Sequence, residues 1–287
     1  MKNVGGQALI EGIMMKSPEL KSISIRKHTG EIITTTKKLK ENPVKNIPVI
    51  RGIYSLITSV IEGSEDINYS ASFFEDEDDK KSKFELFLEK YLKIENFMSI
   101  ISFTLAIFLA IFMFLFIPAT ATKFFEKDSG ILFSLIEGFI KISIFVSYIA
   151  IISKLPDMKK VFMYHGAEHK SIFAYEKGLE LTVENIKKMP RLHPRCGTNF
   201  IAVTLIISIL VSSFIQVDSI IIRVFTKIII LPLIAGISYE VIKLAGKSGN
   251  ILTNLLIFPG MMLQKITTQE PEDEQIEVAI AALKKVL

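Results

Sequence analysis

Residues 98–120, MSIISFTLAIFLAIFMFLFIPAT, form a run of 23 positions without a charged side chain. A helix of about 20 apolar residues is long enough to cross the ~30 Å hydrocarbon layer of a bilayer. This stretch therefore predicts a transmembrane helix, and it assigns the chain to the integral membrane proteins. The composition agrees, because 49% of the 287 residues are hydrophobic and the mean hydropathy is +0.41.

Three more apolar blocks follow, at residues 131–153, 200–216 and 219–242. The first of them contains Glu137 and Lys141, four positions apart, which we interpret as an ion pair within the membrane or as part of a proton or substrate path. The last is the weakest block, because Arg223 and Lys227 interrupt its first half. The sequence thus predicts about four transmembrane helices.

Lysine and arginine are distributed unevenly around these blocks. Nine of them lie in residues 154–199, between the second and third block, whereas residues 119–130 contain two. Because Lys and Arg accumulate in cytoplasmic loops, we predict that this loop and both termini are cytoplasmic, in a multi-pass protein of the cell inner (plasma) membrane. The start of the chain, MKNVGGQALIEG, resembles no signal peptide. A net charge of +4 does not indicate a nucleic-acid partner, and the expected partner is the lipid bilayer.

The first 74 residues are predicted to form an N-terminal cytoplasmic α+β region. SISIRK (22–27) and EIITTTKKL (31–39) flank a turn that contains glycine, and they predict a β-hairpin. An amphipathic helix follows, with apolar residues three and four positions apart at Ile47, Ile50, Tyr54, Ile57 and Ile61. Such a helix either packs in a core or an interface, or lies on the bilayer surface.

The rest of the chain divides into three predicted parts. Residues 75–97 form a charged linker, residues 98–242 form the four-span membrane domain, and residues 243–287 combine a re-entrant or interfacial segment with a C-terminal amphipathic helix. That helix is expected to dock on the N-terminal region through a stripe formed by Ile276, Ile280, Leu283 and Leu287. The predicted fold class is therefore mainly α: an integral membrane helical protein with a small N-terminal α+β region.

The loop between the second and third block contains YHGAEHKS (164–171), with two of the four histidines of the chain. On a helix, His165 and His169 lie on one face and are able to bind one metal ion. Glu168 completes the order H-x-x-E-H, which is the inverse of the commoner zinc motif H-E-x-x-H. In such sites the glutamate is the general base that acts on a water activated by zinc. The segment therefore predicts a divalent metal site, most simply Zn²⁺, with Glu168 as its catalytic residue.

Further ligands are required for a tetrahedral ion, and two sets compete. RLHPRCGTNF (191–200) offers His193 and the single cysteine, Cys196, which stays reduced in the cytoplasm. If both bind, the site is closed and structural, whereas one of them alone leaves a position open for catalysis. The second set is Glu240, a carboxylate at the end of the fourth block that is either a metal ligand or an end-of-helix residue that reaches water.

Six sequence blocks resemble a known family: GGQALIEGIMMKSP, RGIYSLITSVIEG, YHGAEHKSIFAYE, RLHPRCGTNF, GISYEVIKLAG and LQKITTQEP. In this order they resemble the YqhQ-like family of bacterial integral membrane proteins, over nearly the whole chain. The resemblance implies a multi-pass membrane protein of a family loosely described as predicted metal-dependent enzymes, and it implies no substrate. The positions that fall in the shared blocks are Gly5, Gly6, Gln7, Glu11, His165, Glu168, His169, His193, Cys196 and Glu240.

Three functional hypotheses follow. The first is a metal-dependent hydrolase with its site on the cytoplasmic face, which acts on a membrane-associated peptide or a lipid-linked substrate. The second is a non-enzymatic membrane assembly or scaffold protein, in which a closed metal site stabilises the loop and the N-terminal hairpin and C-terminal helix bind a cytoplasmic protein. The third is a transporter that uses Glu137 and Lys141.

Overall fold

The computed structural model describes residues 2–39, 43–74, 97–128, 130–248 and 251–287, so the predicted charged linker lies almost wholly outside the described residues. The strands are β1 (Gly5–Leu9), β2 (Gly12–Lys16), β3 (Leu20–Arg26) and β4 (Ile32–Lys38). The first helices are α1 (Ile50–Ala71) and α2 (Phe97–Ile111), which continues through a π-helical turn (Phe112–Phe116) into α3 (Ile117–Thr122). The others are α4 (Ile131–Ile152), α5 (Pro156–Glu176), α6 (Val183–Lys187), α7 (Gly197–Ser212), α8 (Ile220–Ser248), α9 (Ile251–Thr267) and α10 (Asp273–Lys284).

The four strands form one antiparallel sheet in the order β1-β2-β3-β4. The predicted hairpin is confirmed as β3 and β4, whose turn contains Gly30 at a φ of 84°. A second hairpin, β1 and β2, precedes it and was not predicted, although its turn residue Glu11 also has a positive φ, 48°. The N-terminal region is therefore a complete small sheet rather than a single hairpin.

The C-terminal helix α10 packs against this sheet together with α5 and forms its main core. Ile276 and Leu283 are fully buried there, as the predicted stripe requires, whereas Leu287 is 39% exposed. Burial of each such side chain contributes about 1.5–3 kcal/mol of apolar stabilisation. A capping box between Glu272 and Gln275 begins the helix. The predicted docking of the C-terminal helix on the N-terminal region is thus confirmed.

Within the described residues, three helical stretches are long and apolar enough to cross a membrane: Ile101–Thr122, Ile131–Ile152 and Ile220–Leu244. They correspond to the first, second and fourth apolar blocks of the sequence. The third block forms α7, which at 16 residues is about 24 Å long. The predicted re-entrant segment is the apolar helix α9, with Pro259 inside it. The chain is therefore mainly helical, with three candidate membrane helices and a small antiparallel sheet.

The described residues group into two compact units that cut across the predicted domains. One unit draws on Met1–Phe74, Val146–Ser208 and Leu231–Leu287, so that it joins the N-terminal sheet to the C-terminal helix. The other draws on Glu75–Phe145 and Ile209–Ile230 and contains most of the first two candidate membrane helices. The first unit contains all the residues that sequence analysis proposed as metal ligands.

The second unit contains a buried ion cluster around Glu137. Its carboxylate accepts hydrogen bonds from Arg223 Nε at 3.1 Å and from Lys227 Nζ, and all three side chains are at most 4% exposed. The Arg223 guanidinium also donates to Ser134 Oγ at 2.9 Å and to the Ile215 carbonyl at 3.1 Å. Lys141 is buried nearby, but the hydrogen-bonded partners of Glu137 are the two cations of α8 rather than this lysine.

Candidate metal centre

Helix α5 carries the HGAEH segment on a buried face. Its packing depends on Gly166, because a Cβ at this position would collide with the backbone oxygen of Gln269. The amide of Gln269 donates to the Phe162 carbonyl at 2.8 Å, which holds the segment after α9 along the helix. This close approach also brings the backbone carbonyl of Thr267, the last residue of α9, to His165.

Both histidines of the helix are oriented by backbone carbonyls. The Nδ1 atom of His165 lies 2.8 Å from the Thr267 oxygen, and Nδ1 of His169 lies 2.5 Å from the Arg191 oxygen. Because a carbonyl only accepts, each Nδ1 carries the proton and each Nε2 presents a lone pair. Histidine ligands of metals are typically oriented in this way by an acceptor on the other ring nitrogen. The two rings are 4.4 Å apart between centroids, so their Nε2 atoms face a common region.

Cys196 lies directly before the first residue of α7, and its side chain lies close to the two histidines. Its Sγ is 3.2 Å from Nε2 of His165. The sulfur also accepts hydrogen bonds from the Thr198 backbone amide at 3.5 Å and from the Thr198 hydroxyl at 3.2 Å. Donors of this kind suit a sulfur that carries negative charge, as a thiolate ligand does.

His165, His169 and Cys196 together could hold a metal ion. Their ligand atoms all lie within 4.8 Å of one another. The Nε2 atom of His169 is buried and has no hydrogen-bond partner within the described part of the chain. A buried nitrogen without a partner is costly, and a ligand at the centre of the three residues would satisfy it. Two imidazoles and a thiolate form a donor set that suits Zn²⁺.

Gln264 of α9 positions the loop that carries Cys196, and sequence analysis missed it. Its side-chain oxygen accepts from the His193 amide at 2.7 Å, and its nitrogen donates to the His193 carbonyl at 2.9 Å and to Asn199 Oδ1 at 3.2 Å. Gln264 is fully buried, so each of these bonds is protected from water. The sequence signal for it was weak: Gln264 lies in the shared block LQKITTQEP and is one of two side-chain amides, with Asn254, in a largely apolar helix.

His193 lies beside the three residues but is not one of them. Its Nδ1 accepts from the Arg195 amide at 3.2 Å, and its Nε2 lies 3.5 Å from Glu176 Oε2. Its ring packs against Phe173 at 4.4 Å between centroids. Burial, with a smaller contribution from His169, lowers the pKa of His193 to about 4. His193 is thus not among the three residues whose ligand atoms lie within 4.8 Å of one another, although its buried Nε2, like that of His169, has no hydrogen-bond partner among the described residues. The closed set of three histidines and a cysteine, one of the two alternatives that the sequence left open, stays a prediction.

Glu240 does not lie at the cluster of His165, His169 and Cys196. Its carboxylate binds the Arg51 guanidinium, with Nε at 2.7 Å, and accepts from the Val49 amide at 3.1 Å. These contacts join the start of α1 to the candidate membrane helix α8. Glu240 is therefore occupied by an ion pair and does not contribute to the cluster of His165, His169 and Cys196.

Glu168 borders the cluster without belonging to the ligand set. Its carboxylate accepts a hydrogen bond from the Gly6 amide of β1, and burial raises its pKa to about 7 against the opposing effects of His165 and of this hydrogen bond. A Cβ at Gly6 would lie 2.6 Å from the Met14 carbonyl oxygen and 2.9 Å from Glu168 Cγ. Only glycine allows the strand to approach the carboxylate this closely.

A cavity of about 430 Å³ adjoins these residues. Its lining includes the three residues of the cluster, Glu168, and the strand residues Gly5, Gly6 and Gln7. Glu11, which lies in one of the shared sequence blocks, accepts hydrogen bonds from Lys160 Nζ at 2.6 Å and from the Tyr164 hydroxyl at 3.1 Å. These bonds anchor the positive-φ turn between β1 and β2 on α5 and so position the strand that lines the cavity.

Comparison with known proteins identifies the family of the chain and adds no activity. Residues 47–287 match the family model described as a protein of unknown function, DUF1385. The chain is 35% identical over 297 aligned positions to the uncharacterized protein YqhQ of Bacillus subtilis (strain 168), with 99% of this chain and 92% of that protein covered. No solved structure matches the chain. The chain therefore belongs to the DUF1385 family of proteins of unknown function.

Proposed function

We propose that this protein is a multi-pass membrane hydrolase that uses one Zn²⁺-type ion on the cytoplasmic face of the inner membrane. The observation that carries the proposal is the convergence of His165, His169 and Cys196 beside a cavity that Glu168 also lines. Three protein ligands with a cavity next to them are typical of catalytic zinc sites, whereas structural sites use four.

Each residue of the site has a separate role in the proposed reaction. His165 and His169 offer their Nε2 lone pairs, and Cys196 offers its sulfur. A zinc ion held by these three residues would supply Lewis acidity and would make a water molecule easier to deprotonate near neutral pH. Glu168 accepts a proton from the attacking water and returns it to the leaving group, and the Gly6 amide orients its carboxylate.

The substrate class follows from the surroundings of the site. The cavity of about 430 Å³ is lined largely by apolar and small residues, including Val161, Phe162, Ile172 and Ile201. A cavity of this size accepts one side chain of a peptide or the linkage of a lipid-attached group. We therefore propose a membrane-associated peptide or lipid-linked substrate.

The packing of the first unit supports four membrane crossings with both termini on one side. The N-terminal sheet packs against α5 and against α10, so these three parts of the chain share one side of the membrane. The termini also meet, because Lys2 Nζ donates to the Leu287 carbonyl at 2.6 Å. The number of crossings between any two of these parts is consequently even.

The requirement for an even number of membrane crossings affects the interpretation of α7, which is short for a membrane-spanning helix. Between α5 and α10 the chain passes through one long candidate membrane helix, within α8. A second crossing is then required, and α7 with the uncharged residues up to 216 is the segment proposed to supply it. The Lys and Arg content of residues 154–199 assigns the shared side to the cytoplasm.

The test combines metal analysis with one isosteric substitution. The wild type and Glu168→Gln proteins, purified in detergent, are loaded with Zn²⁺ and analysed for bound metal and by X-ray absorption at the zinc edge. Both proteins are expected to bind one zinc through two nitrogens and one sulfur, with an oxygen from solvent as the fourth atom. Activity is then assayed with fluorogenic peptide, ester and phosphoester libraries presented in mixed micelles, and Glu168→Gln is expected to lose roughly 10²–10⁴-fold.

Three results would contradict the proposal. Loss of zinc from Glu168→Gln would make this residue a ligand and remove the base. A coordination shell of four protein atoms would favour the alternative of a structural site in a scaffold protein. Hydrolysis that survives in a His165→Ala, His169→Ala double variant would exclude a role of the metal in the reaction.

A further inference from the structure

Helix α1 is amphipathic in the opposite sense from a helix of a soluble domain. The residues that it buries are small or polar: Gly52, Gly63, Asp66 and Ser70. Its large apolar residues point away from the protein, among them Ile50 at 49% exposure, Ile57 at 53% and Ile61 at 55%. Their spacing of seven and four positions keeps them on one face. A contiguous exposed apolar stripe of this kind indicates contact with another apolar phase or surface.

The position of α1 identifies that phase. The start of α1 crosses the candidate membrane helix within α8, and a Cβ at Gly52 would lie 2.7 Å from Tyr239 Cβ and 3.0 Å from Gly236 Cα. The ion pair of Arg51 with Glu240 strengthens the same crossing. The helix is therefore attached directly to a segment that is long and apolar enough to span a bilayer.

A basic groove runs along one flank of the exposed stripe. It has a volume of about 690 Å³ and lies between α1 and the strands β2 to β4. Five lysines contribute to its lining, against two glutamates, and they are joined by the hydroxyl groups of Tyr54, Ser55, Thr58 and Ser59. Lys16 binds Glu62 at 3.0 Å and Lys21 binds the buried Asp66 at 2.7 Å, whereas Lys37 and Lys38 form no ion pair with a carboxylate among the described residues. A surface with excess positive charge beside an apolar stripe is complementary to an anionic leaflet, in which negatively charged headgroups lie next to the apolar acyl region.

We propose that α1 is an interfacial helix whose isoleucine stripe enters the acyl region of the bilayer, and that the lysine groove beside it binds the headgroups of anionic phospholipids. The ligand chemistry is that of a phosphodiester headgroup with attached acyl chains, because only such a molecule engages the groove and the stripe together. The surface thus attaches the first unit to the membrane independently of its metal centre.

The depth of the stripe is measurable because the chain contains no tryptophan. Full-length Ile57→Trp is reconstituted into vesicles of phosphatidylcholine and phosphatidylglycerol, with and without brominated phosphatidylcholine. The emission is expected to be blue-shifted and quenched by bromine, as in a Phe108→Trp control on the apolar α2. A Glu180→Trp control in the loop after α5 is expected to emit at long wavelength without quenching. Emission from Ile57→Trp that is not quenched by brominated lipid would overturn the proposal, whether water or protein covers the stripe.

The headgroup site is tested by a matched pair of charge changes. Lys37→Gln with Lys38→Gln is compared with Lys284→Gln with Lys285→Gln, which removes the same charge from the exposed end of α10. Phosphatidylglycerol that remains bound after delipidation is counted by native mass spectrometry. The groove variant is expected to retain on the order of tenfold less of this lipid, and the α10 variant the wild-type amount. Equal retention by both variants would remove the groove from the proposal, and normal melting temperatures establish that both variants are folded.

Discussion

Two buried polar clusters within the described residues, one in each unit, differ in how completely their atoms are paired. Around Glu137 each carboxylate oxygen has a cation, and each guanidinium nitrogen of Arg223 has an acceptor. Around His165 and His169, the Nδ1 atoms are paired but Nε2 of His169 is not. The first cluster is complete without a ligand and adjoins none of the described cavities, whereas the second adjoins a cavity and lacks a partner at its centre. The combination of an unpaired buried nitrogen with an adjoining cavity therefore distinguishes the histidine cluster from the cluster around Glu137.

The largest expected effect is on the complete cluster. Glu137→Gln leaves Arg223 and Lys227 without their carboxylate in a buried environment. Removal of one member of a buried ion pair costs about 3–5 kcal/mol. We expect a loss of this size in the free energy of unfolding in detergent, with no direct effect on zinc affinity in the protein that remains folded. Glu180→Gln, at an exposed loop position, is the control, and equal stability of the two variants would show that the cluster is not structural.

The next effect belongs to the incomplete cluster. Zinc at about 100 times its Kd is expected to stabilise the wild type by about 2.7 kcal/mol, because the ion binds the folded state. His169→Ala should lose most of this gain, since it removes one of the three proposed ligands. Thermal unfolding with and without zinc measures the difference. A similar gain in both proteins would mean that the metal binds elsewhere.

A neighbouring pair of glycines tests how the sheet supports Glu168. Gly6→Ala is expected to cost about 1–3 kcal/mol, because the new methyl group meets the Met14 carbonyl oxygen and the Glu168 side chain. Gly5→Ala is the matched control, since a Cβ there has no atom within 4 Å. Chemical denaturation compares the two variants. The comparison between the clusters is sharpened if Gly6→Ala lowers activity while zinc binding persists.

A smaller effect is expected from the hydroxyl that supports Cys196. Thr198→Val removes the 3.2 Å hydrogen bond to the sulfur, and loss of such a supporting contact typically lowers metal affinity roughly 10-fold or more. Thr204→Val makes the same change on the same helix, where the hydroxyl bonds the Phe200 carbonyl at 2.7 Å. Competition with a chromogenic chelator measures both affinities. Equal affinities would indicate that Thr198 does not act on the sulfur.

The smallest effect concerns the residue that the sequence offered as an alternative ligand. Glu240→Gln is expected to leave zinc stoichiometry and affinity unchanged, because the carboxylate binds Arg51 and the Val49 amide. Metal analysis after dialysis is the measurement. A lower zinc content in this variant would return Glu240 to the site.

Part of the fold was predictable, and the exceptions have identifiable causes. The hairpin of β3 and β4 was predicted because its strands are β-branched and a glycine lies in its turn. Strand β2 was missed, because it is covered on both faces: Ile13 and Met15 lie in one core and Met14 in another. Such a strand lacks the alternation of polar and apolar residues that identifies a half-buried strand. The spacing of the isoleucines in α1 predicted a stripe, but spacing alone does not say which face turns inward.

The candidate site likewise contains some features that the sequence predicted and others that it did not. The i, i+4 spacing of His165 and His169 placed them together, because helix geometry relates residues that are close in sequence. The contacts that hold the loop at His193 were not predictable, because Gln264 lies 71 residues away along the chain. Nor did spacing indicate that Glu240 would meet Arg51, 189 residues before it. Each of these outcomes depends on a backbone or ion-pair contact between distant segments.

The amino-acid sequence by itself determined the apolar helices that are long enough to cross a membrane, the C-terminal amphipathic helix and the pair of histidines, because hydrophobic runs and helical periodicity are local properties. Only the tertiary structure decided which side chains face the common centre. The Thr267 and Arg191 carbonyls select the Nε2 lone pairs, and the Cys196 sulfur approaches His165 from 31 residues along the chain. A metal centre requires such convergence, because its ligands are held by contacts between segments that the chain itself keeps far apart.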